Sequence, residues 1–584
     1  MNQVRTAFLF SALFVGLGSI FFATLAGSFI VYVVGVVILS AVTVYSFVSK
    51  SSERNLIILL IAISLSLRYV PIIKFNQPLF EDPVFDLATA TEFLKNGRIS
   101  VLPNAPVNDN VRIYSGFPLV HMLAISISSI TGLSLFDVFT YFPPLIDLAN
   151  LLLVYLLAKH VFGNSKIAAL SGLIYATFSL NMLWLGIQMI TQSMVYPLAL
   201  MAIYLFIKGG KTDKKMLALS LFSFGVLPIA HHLTPMEIFY IIGFTLVLAS
   251  FSKYWKNIHF PLWKRGRKPE SQPRENRFSF PVALWLFLGA SMFLYWITYA
   301  HDIILRIFSG RVLTILFSIF NLKTAGGLTL YATSITRSTN IFNMLSYSRI
   351  LFLAVASIIG LVLLMRGTNR YKLFFYGFFL APLPLIFVTT FVERLTDMRH
   401  ALFLLIPVFL LTASVMYRFD KNKSYKKIIF AICLLIIIVP GPFMLFATFD
   451  PAPRYMYDKN VPFRFDLLRK RGVYRTEEVL SASSFLSNHV SNIDVISDYY
   501  ATFGLCFYFD PYRVVPFGRV ITTKAQGITS QDVVAIDMIV YNAIYRPSYL
   551  SYNLTRFVED IDSLPSTANS IYDNGEVIVW KPNA

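Results

Sequence analysis

Three carboxylates fall close together in Phe80-Glu81-Asp82-Pro83-Val84-Phe85-Asp86. An ionised, accessible carboxylate can take a proton from an attacking group, which is general-base catalysis. Pro83 suits the first position of a helix, Asp82 its N-cap and Asn96-Gly97 its C-terminal stop. These residues predict a short amphipathic helix from about Pro83 to Lys95, with Asp82 at its mouth. A plainer reading competes with the catalytic one, in which Asp82 only caps that helix. Other groups able to do chemistry lie further on. Arg349, Arg394 and Arg399 are guanidinium donors of the kind a phosphate needs, and each is equally suited to snorkelling or to pairing with Glu393 or Asp397. His231-His232, before Thr234-Pro235, reads either as a binding pair or as polar turn surface. Asp147 lies inside an apolar segment, where a carboxylate is costly and points to function by default.

The elements that must position these residues follow from composition. The 584 residues are 56% hydrophobic and 14% charged, with a mean hydropathy of +0.64. One soluble core cannot hide that much apolar surface. Apolar stretches of helix length recur, among them Leu56 to Ile73, Leu284 to Ala300, Ile350 to Met365 and Ile428 to Phe446. They lack the alternation of barrel strands. The N-terminal MNQVR and its apolar run resemble a signal peptide, but a second apolar run follows Ala26-Gly27-Ser28 and predicts an uncleaved hairpin. The two cysteines, Cys433 and Cys506, lie in different regions and report no redox compartment.

The net charge of +19 is distributed unevenly. From Thr448 onward there are 13 Lys/Arg and 15 Asp/Glu, so the excess lies in the apolar part. It gathers in short clusters at Lys50 to Arg54, Lys159 to Lys166, Lys208 to Lys215, Lys253 to Arg277, Arg366 to Lys372 and Arg418 to Lys427. No basic stripe falls on a soluble module, which argues against nucleic acid as a partner. All six clusters share the cytoplasmic side only if Phe117 to Ile130 lies at the interface instead of crossing, and that segment is short for a span.

The layout expected is a polytopic α-helical membrane protein with about 13 spans, near 5–25, 28–48, 55–73, 139–158, 167–184, 193–208, 215–230, 236–252, 280–300, 346–365, 371–391, 399–417 and 428–447. The N-terminus would be cytoplasmic. A membrane module over 1–448 would carry a large first outer loop, 74–138, and a small extracytoplasmic α/β domain would occupy 449–584. In that tail Thr476 is a candidate N-cap, Ile493 to Tyr500 and Val533 to Tyr541 read as strands, and Asp573-Asn574-Gly575 signals a hairpin. The tail shows no nucleophile elbow, phosphate loop or metal-spaced His/Cys cluster. Asn553-Leu554-Thr555 is a glycosylation sequon.

Several stretches together carry a family likeness. The acidic pair is followed by a helix ending in Gly97, then by Tyr114-Ser115-Gly116-Phe117-Pro118-Leu119-Val120-His121. Next come Tyr141-Phe142-Pro143-Pro144, Lys159-His160-Val161-Phe162-Gly163 and Arg399-His400-Ala401-Leu402-Phe403-Leu404-Leu405-Ile406-Pro407. Near the end stands Ile571-Tyr572-Asp573-Asn574-Gly575-Glu576-Val577. In this order, over about residues 55–448 in layout, the chain resembles the GT-C superfamily of membrane glycosyltransferases. Its members include protein O-mannosyltransferases, oligosaccharyltransferase catalytic subunits and aminoarabinose transferases. The likeness is greatest to archaeal multispanning members.

The resemblance implies an inverting transfer, on the outer face of the cell membrane, from a polyprenyl-phosphate-linked sugar donor to a glycan, lipid or protein acceptor. The family's catalytic acid matches Asp82 best, with Glu81 as its partner and Asp86 as a substrate-binding match. Arg349, Arg394 and Arg399 would bind the phosphate, and His231 and His232 the substrate. The Trp-Trp-Asp hallmark of oligosaccharyltransferases is absent, and the turn Gly186 to Gln192 carries no acid, so no obligatory metal or other cofactor is expected. The rival expectation is a transporter or a flippase for lipid-linked saccharides. That class should show related halves and broken helices at the midplane, and the sequence has no convincing internal repeat.

Overall fold

The computed structural model describes residues 2–26, 28–49, 51–79, 82–99, 115–178, 181–182, 185–209, 213–255, 281–300, 341–366, 371–383, 401–419, 424–449, 477–489, 495–497, 514–516, 533–537, 568–573 and 577–582. Among them the helices are α1 (Asn2–Ala26), α2 (Phe29–Val48), α3 (Glu53–Phe75), α4 (Asp82–Asn96), α5 (Leu119–Thr131), α6 (Leu135–Tyr141), α7 (Pro143–Phe162), α8 (Ser165–Thr177) and α9 (Thr191–Gly209). They continue as α10 (Lys214–Ala230), α11 (Leu233–Trp255), α12 (Val282–Thr298), α13 (Ile341–Arg366), α14 (Lys372–Leu380), α15 (Ala401–Tyr417), α16 (Ser424–Ile438), α17 (Pro440–Phe449) and α18 (Glu477–His489). The strands are β1 (Val495–Ser497), β2 (Val514–Pro516), β3 (Val533–Asp537), β4 (Ala568–Asp573) and β5 (Val577–Pro582).

Two compact units emerge. The first holds Met1–Lys74, Pro144–Gly186 and Gln192–Met456, and the second Phe75–Pro143, Ile187–Thr191 and Tyr457–Ala584.

The first unit is helical. Over the chain as a whole, eight helical stretches among the described residues are long and apolar enough to cross a membrane: Ala7–Ala26, Phe29–Val48, Glu53–Phe75, Leu135–Phe162, Thr191–Gly209, Leu233–Phe251, Tyr347–Leu364 and Ser424–Phe443. Val282–Thr298 and Leu402–Tyr417 are apolar but shorter. The span expected at 167–184 is instead the 13-residue α8, which ends at Thr177. Its last carbonyls are taken by arginines from elsewhere in the unit: Arg68 Nη1 donates to Ala176 O at 3.1 Å and Arg349 Nη1 to Thr177 O at 2.8 Å. Those bonds satisfy carbonyls that the helix itself leaves open. The start of α8 is capped by Asn164, whose side chain accepts the N–H groups of Lys166 and Ile167. Asp213 does the same for α10.

In the second unit α4, α5 and α6 pack on one another. The helix expected over Pro83 to Lys95 is present as α4, and Gly97 stops it at a φ of 62°, the left-handed turn that glycine adopts without strain. Ser134 caps α6 by accepting the Asp137 N–H at 3.1 Å. The same unit contains a five-stranded sheet in the order β2-β1-β3-β5-β4. β1 runs parallel to both β2 and β3, while β5 is antiparallel to β3 and to β4, with a bulge at Ser570/Tyr572. α18 packs on β5, and Ala482, Leu486, Val495 and Val579 are buried. The strands expected near 493–500 and 533–541, and the hairpin signalled by Asp573-Asn574-Gly575, appear as β1, β3 and the β4–β5 pair. Thr476, Cys506 and Asn553 lie outside the described residues.

Candidate functional site

Asp82 is the first residue of α4 and is half-buried. One turn further, Asp86 is fully buried, and so is its neighbour across the helix pair, His121 on α5. The two meet at 2.7 Å between Asp86 Oδ1 and His121 Nε2. Phe93, on the same helix as Asp86, packs edge-on against the imidazole with ring centroids 5.6 Å apart at 90°. The pattern places them there: α4 turns Pro83, Val84, Phe85, Leu87, Ala88, Ala90 and Phe93 inward, and Asp86 is carried in with them. α5 buries Val120, His121 and Ala124. Burial pushes the Asp86 carboxyl above its ordinary range, with Asp82 adding in the same direction, while His121 and the Thr191 backbone pull the other way. Burial distinguishes the two acids: Asp82 is half-buried, whereas Asp86 is fully buried against His121.

Sequence reasoning placed His121 within a motif and gave it no role. Its partner stands 35 positions away, a separation at which no helical periodicity points to a contact. Glu81, Arg394 and Arg399 lie outside the described residues.

The remaining candidates belong to the first unit. Arg349 is buried, bonds the Thr177 carbonyl, and sits 5.0 Å from the centroid of the Phe178 ring. His231 follows the last turn of α10, and its Nδ1 accepts the Thr234 N–H at 3.2 Å, so it caps the first turn of α11. His232 is buried beside it, with ring centroids 4.7 Å apart. Asp147 has structural partners: Arg68 Nε at 2.5 Å, Asn150 Nδ2 at 3.0 Å and the Tyr175 hydroxyl. Arg68 was not singled out in the sequence, yet it ties α3 to α7 and α8. Gly186 makes room for it, since a Cβ there would collide with the Arg68 side chain. Glu53 joins the far ends of the same three helices, accepting from Tyr155 at 2.6 Å, Ser165 at 2.7 Å and Lys159.

No protein-family model matches the sequence, and neither does any curated protein. The architecture does have solved counterparts. The Archaeoglobus fulgidus oligosaccharyltransferase, solved with Zn and sulfate, superposes with a TM-score of 0.51 at 11% identity, over 90% of this chain and 73% of that one. The fold is similar to that of this oligosaccharyltransferase. ArnT from Cupriavidus metallidurans, in the apo state, is similar at a TM-score of 0.48 and 12% identity, over 91% of this chain and 98% of that one. The archaeal structure was solved with Zn. Among the described residues, which exclude Glu81, no group of three or more His, Cys, Asp or Glu side chains is placed to hold a metal. No chemical step here is routed through one.

Proposed function

We propose that the chain is an inverting membrane glycosyltransferase that moves a sugar from a polyprenyl-phosphate-linked donor to a glycan, lipid or protein acceptor on the outer face of the membrane. The observation that carries this reading is a half-buried Asp82 at the head of an amphipathic helix, in a chain similar in fold to the archaeal oligosaccharyltransferase. Asp82 takes the proton of the acceptor, with Glu81 beside it. The acceptor atom bonds to the anomeric carbon from the face opposite the phosphate. The bond from that carbon to the phosphate oxygen breaks, and the lipid phosphate leaves with its electron pair. Arg349, Arg394 and Arg399 are the donors we assign to that phosphate, because charge-assisted hydrogen bonds stabilise a departing anion. His231 and His232 are the residues we assign to substrate binding. The membrane module is 1–448, with a cytoplasmic N-terminus, and 449–584 is an extracytoplasmic domain. No obligatory metal takes part.

The test is transfer by the purified full chain in lipid nanodiscs, using a panel of polyprenyl-phosphate-linked hexoses of known anomeric configuration and a membrane fraction as acceptor. The reading requires transfer from at least one donor, with the configuration at the anomeric carbon inverted. Retention of configuration, or no transfer from any donor, would overturn it.

A further inference from the structure

Behind Asp82, α4 carries a second carboxylate with no exposed side-chain surface. Asp86 and His121 meet at 2.7 Å with both side chains fully buried. A carboxyl and an imidazole in such a setting stay bonded to one another, because an unpaired polar group away from water is costly. The outer ring nitrogen, His121 Nδ1, has no hydrogen-bond partner among the described residues, while the Asp86 carboxyl also has the Thr191 backbone beside it. An unpaired buried atom of this kind costs on the order of 1–3 kcal/mol. An apolar pair of similar volume would hold α4 to α5 at less cost. What a hydrogen bond adds is direction, since it fixes the angle and register of the two helices more narrowly than an apolar contact does. Asp86 stands four residues after Asp82, on the same helix face, and the two carboxyls feel each other's charge. The pair therefore lies one turn from Asp82, on the helix that presents it.

We propose that Asp86 and His121 form a positioning pair, which locks the first turn of α4 against α5 and so holds Asp82 at the reacting atoms. This rests on the reading of Asp82 as the base. The pair touches no substrate itself, being buried, and acts only through the helix. Loss of the pair should therefore appear in kcat and leave the donor KM alone, whereas a loss of folding would lower the amount of active enzyme without that split.

The experiment uses the full chain in nanodiscs with the hexose donors named above. Asp86→Leu combined with His121→Phe replaces the pair with apolar bulk and should keep the fold. We expect it to keep the donor KM and lose kcat by roughly tenfold to a hundredfold, the scale of a small misplacement of a reacting group. His121→Gln keeps an N–H that reaches the Asp86 carboxyl and should recover most of the loss seen in His121→Leu. A folded double variant with wild-type kcat would overturn the pair. Should the double variant not fold, equal kcat in His121→Gln and His121→Leu would overturn it. Asp82→Asn separates the two ideas. If it is inactive while the double variant runs at full speed, the pair alone fails. If it is fully active, the reading beneath the pair fails.

Discussion

Asp86 shows how burial alone divides two acids of the same type. Its carboxyl is held above the usual carboxylate range chiefly by desolvation, so the folded chain binds that proton more tightly than the unfolded chain does. The stability linked to it is fully present below the unfolded value of about 3.9 and is lost as the pH rises toward the raised folded value. Asp86→Asn cannot ionise, so the thermal midpoint of the variant should change less than that of the wild type between about pH 4 and neutrality. A scan of midpoint against pH checks this, and parallel curves for the two proteins would contradict it. A second residue-scale prediction concerns Arg68. Arg68→Met removes the cation facing Asp147 and leaves a buried carboxylate uncompensated, a change that costs about 3–5 kcal/mol. A thermal scan in detergent should show the loss, and Arg68→Met with Asp147→Leu should recover much of it. The sequence displayed Asp82, Asp86 and Asp147 because carboxylates stand out near or within apolar runs. It did not display His121 or Arg68 as their partners, because those contacts join different helices and follow no local spacing. His231 was visible as a chemical group, but its work in capping α11 depends on the turn around it.

Helices and strands were more legible than contacts. The Pro83 start and Gly97 stop of α4, the branched runs of β1 and β3, and the turn signal before β5 are local chemistry, and they appear where the residues place them. β2 is a three-residue strand, too short for the alternation that marks a strand in a sequence. α8 stops at Thr177, and its final carbonyls are taken by Arg68 and Arg349, long-range contacts that no local spacing announces. α5 has 13 residues, about 20 Å of helix against about 30 Å of hydrocarbon. Val120, His121 and Ala124 face inward while Met122 and Ile130 are exposed, a pattern suited to the membrane surface. This length decides the sidedness of everything after it. A cysteine replacing Lys211 should resist a membrane-impermeant thiol reagent in intact cells, and one replacing Asp532 should react. Labelling at position 211 from outside would mean that the segment crosses.

The whole chain is similar in fold to the archaeal oligosaccharyltransferase, yet at 11% identity the architecture transfers no activity by itself. Composition and charge gave the polytopic character, because apolar length and basic clusters are summed along the chain and need no long-range contact. The chemistry must stand on the residues, and most directly on Asp82. As a cap, Asp82 is replaceable by Asn with little change in stability. As a base it is not, since an amide cannot accept the acceptor's proton. The decisive measurement is therefore the rate of sugar transfer from a polyprenyl-phosphate-linked hexose by folded Asp82→Asn, set beside the wild type in the same nanodiscs. We predict a fall of roughly 10²–10⁴-fold, the usual weight of general-base catalysis. A folded Asp82→Asn protein transferring sugar at the wild-type rate would contradict the account.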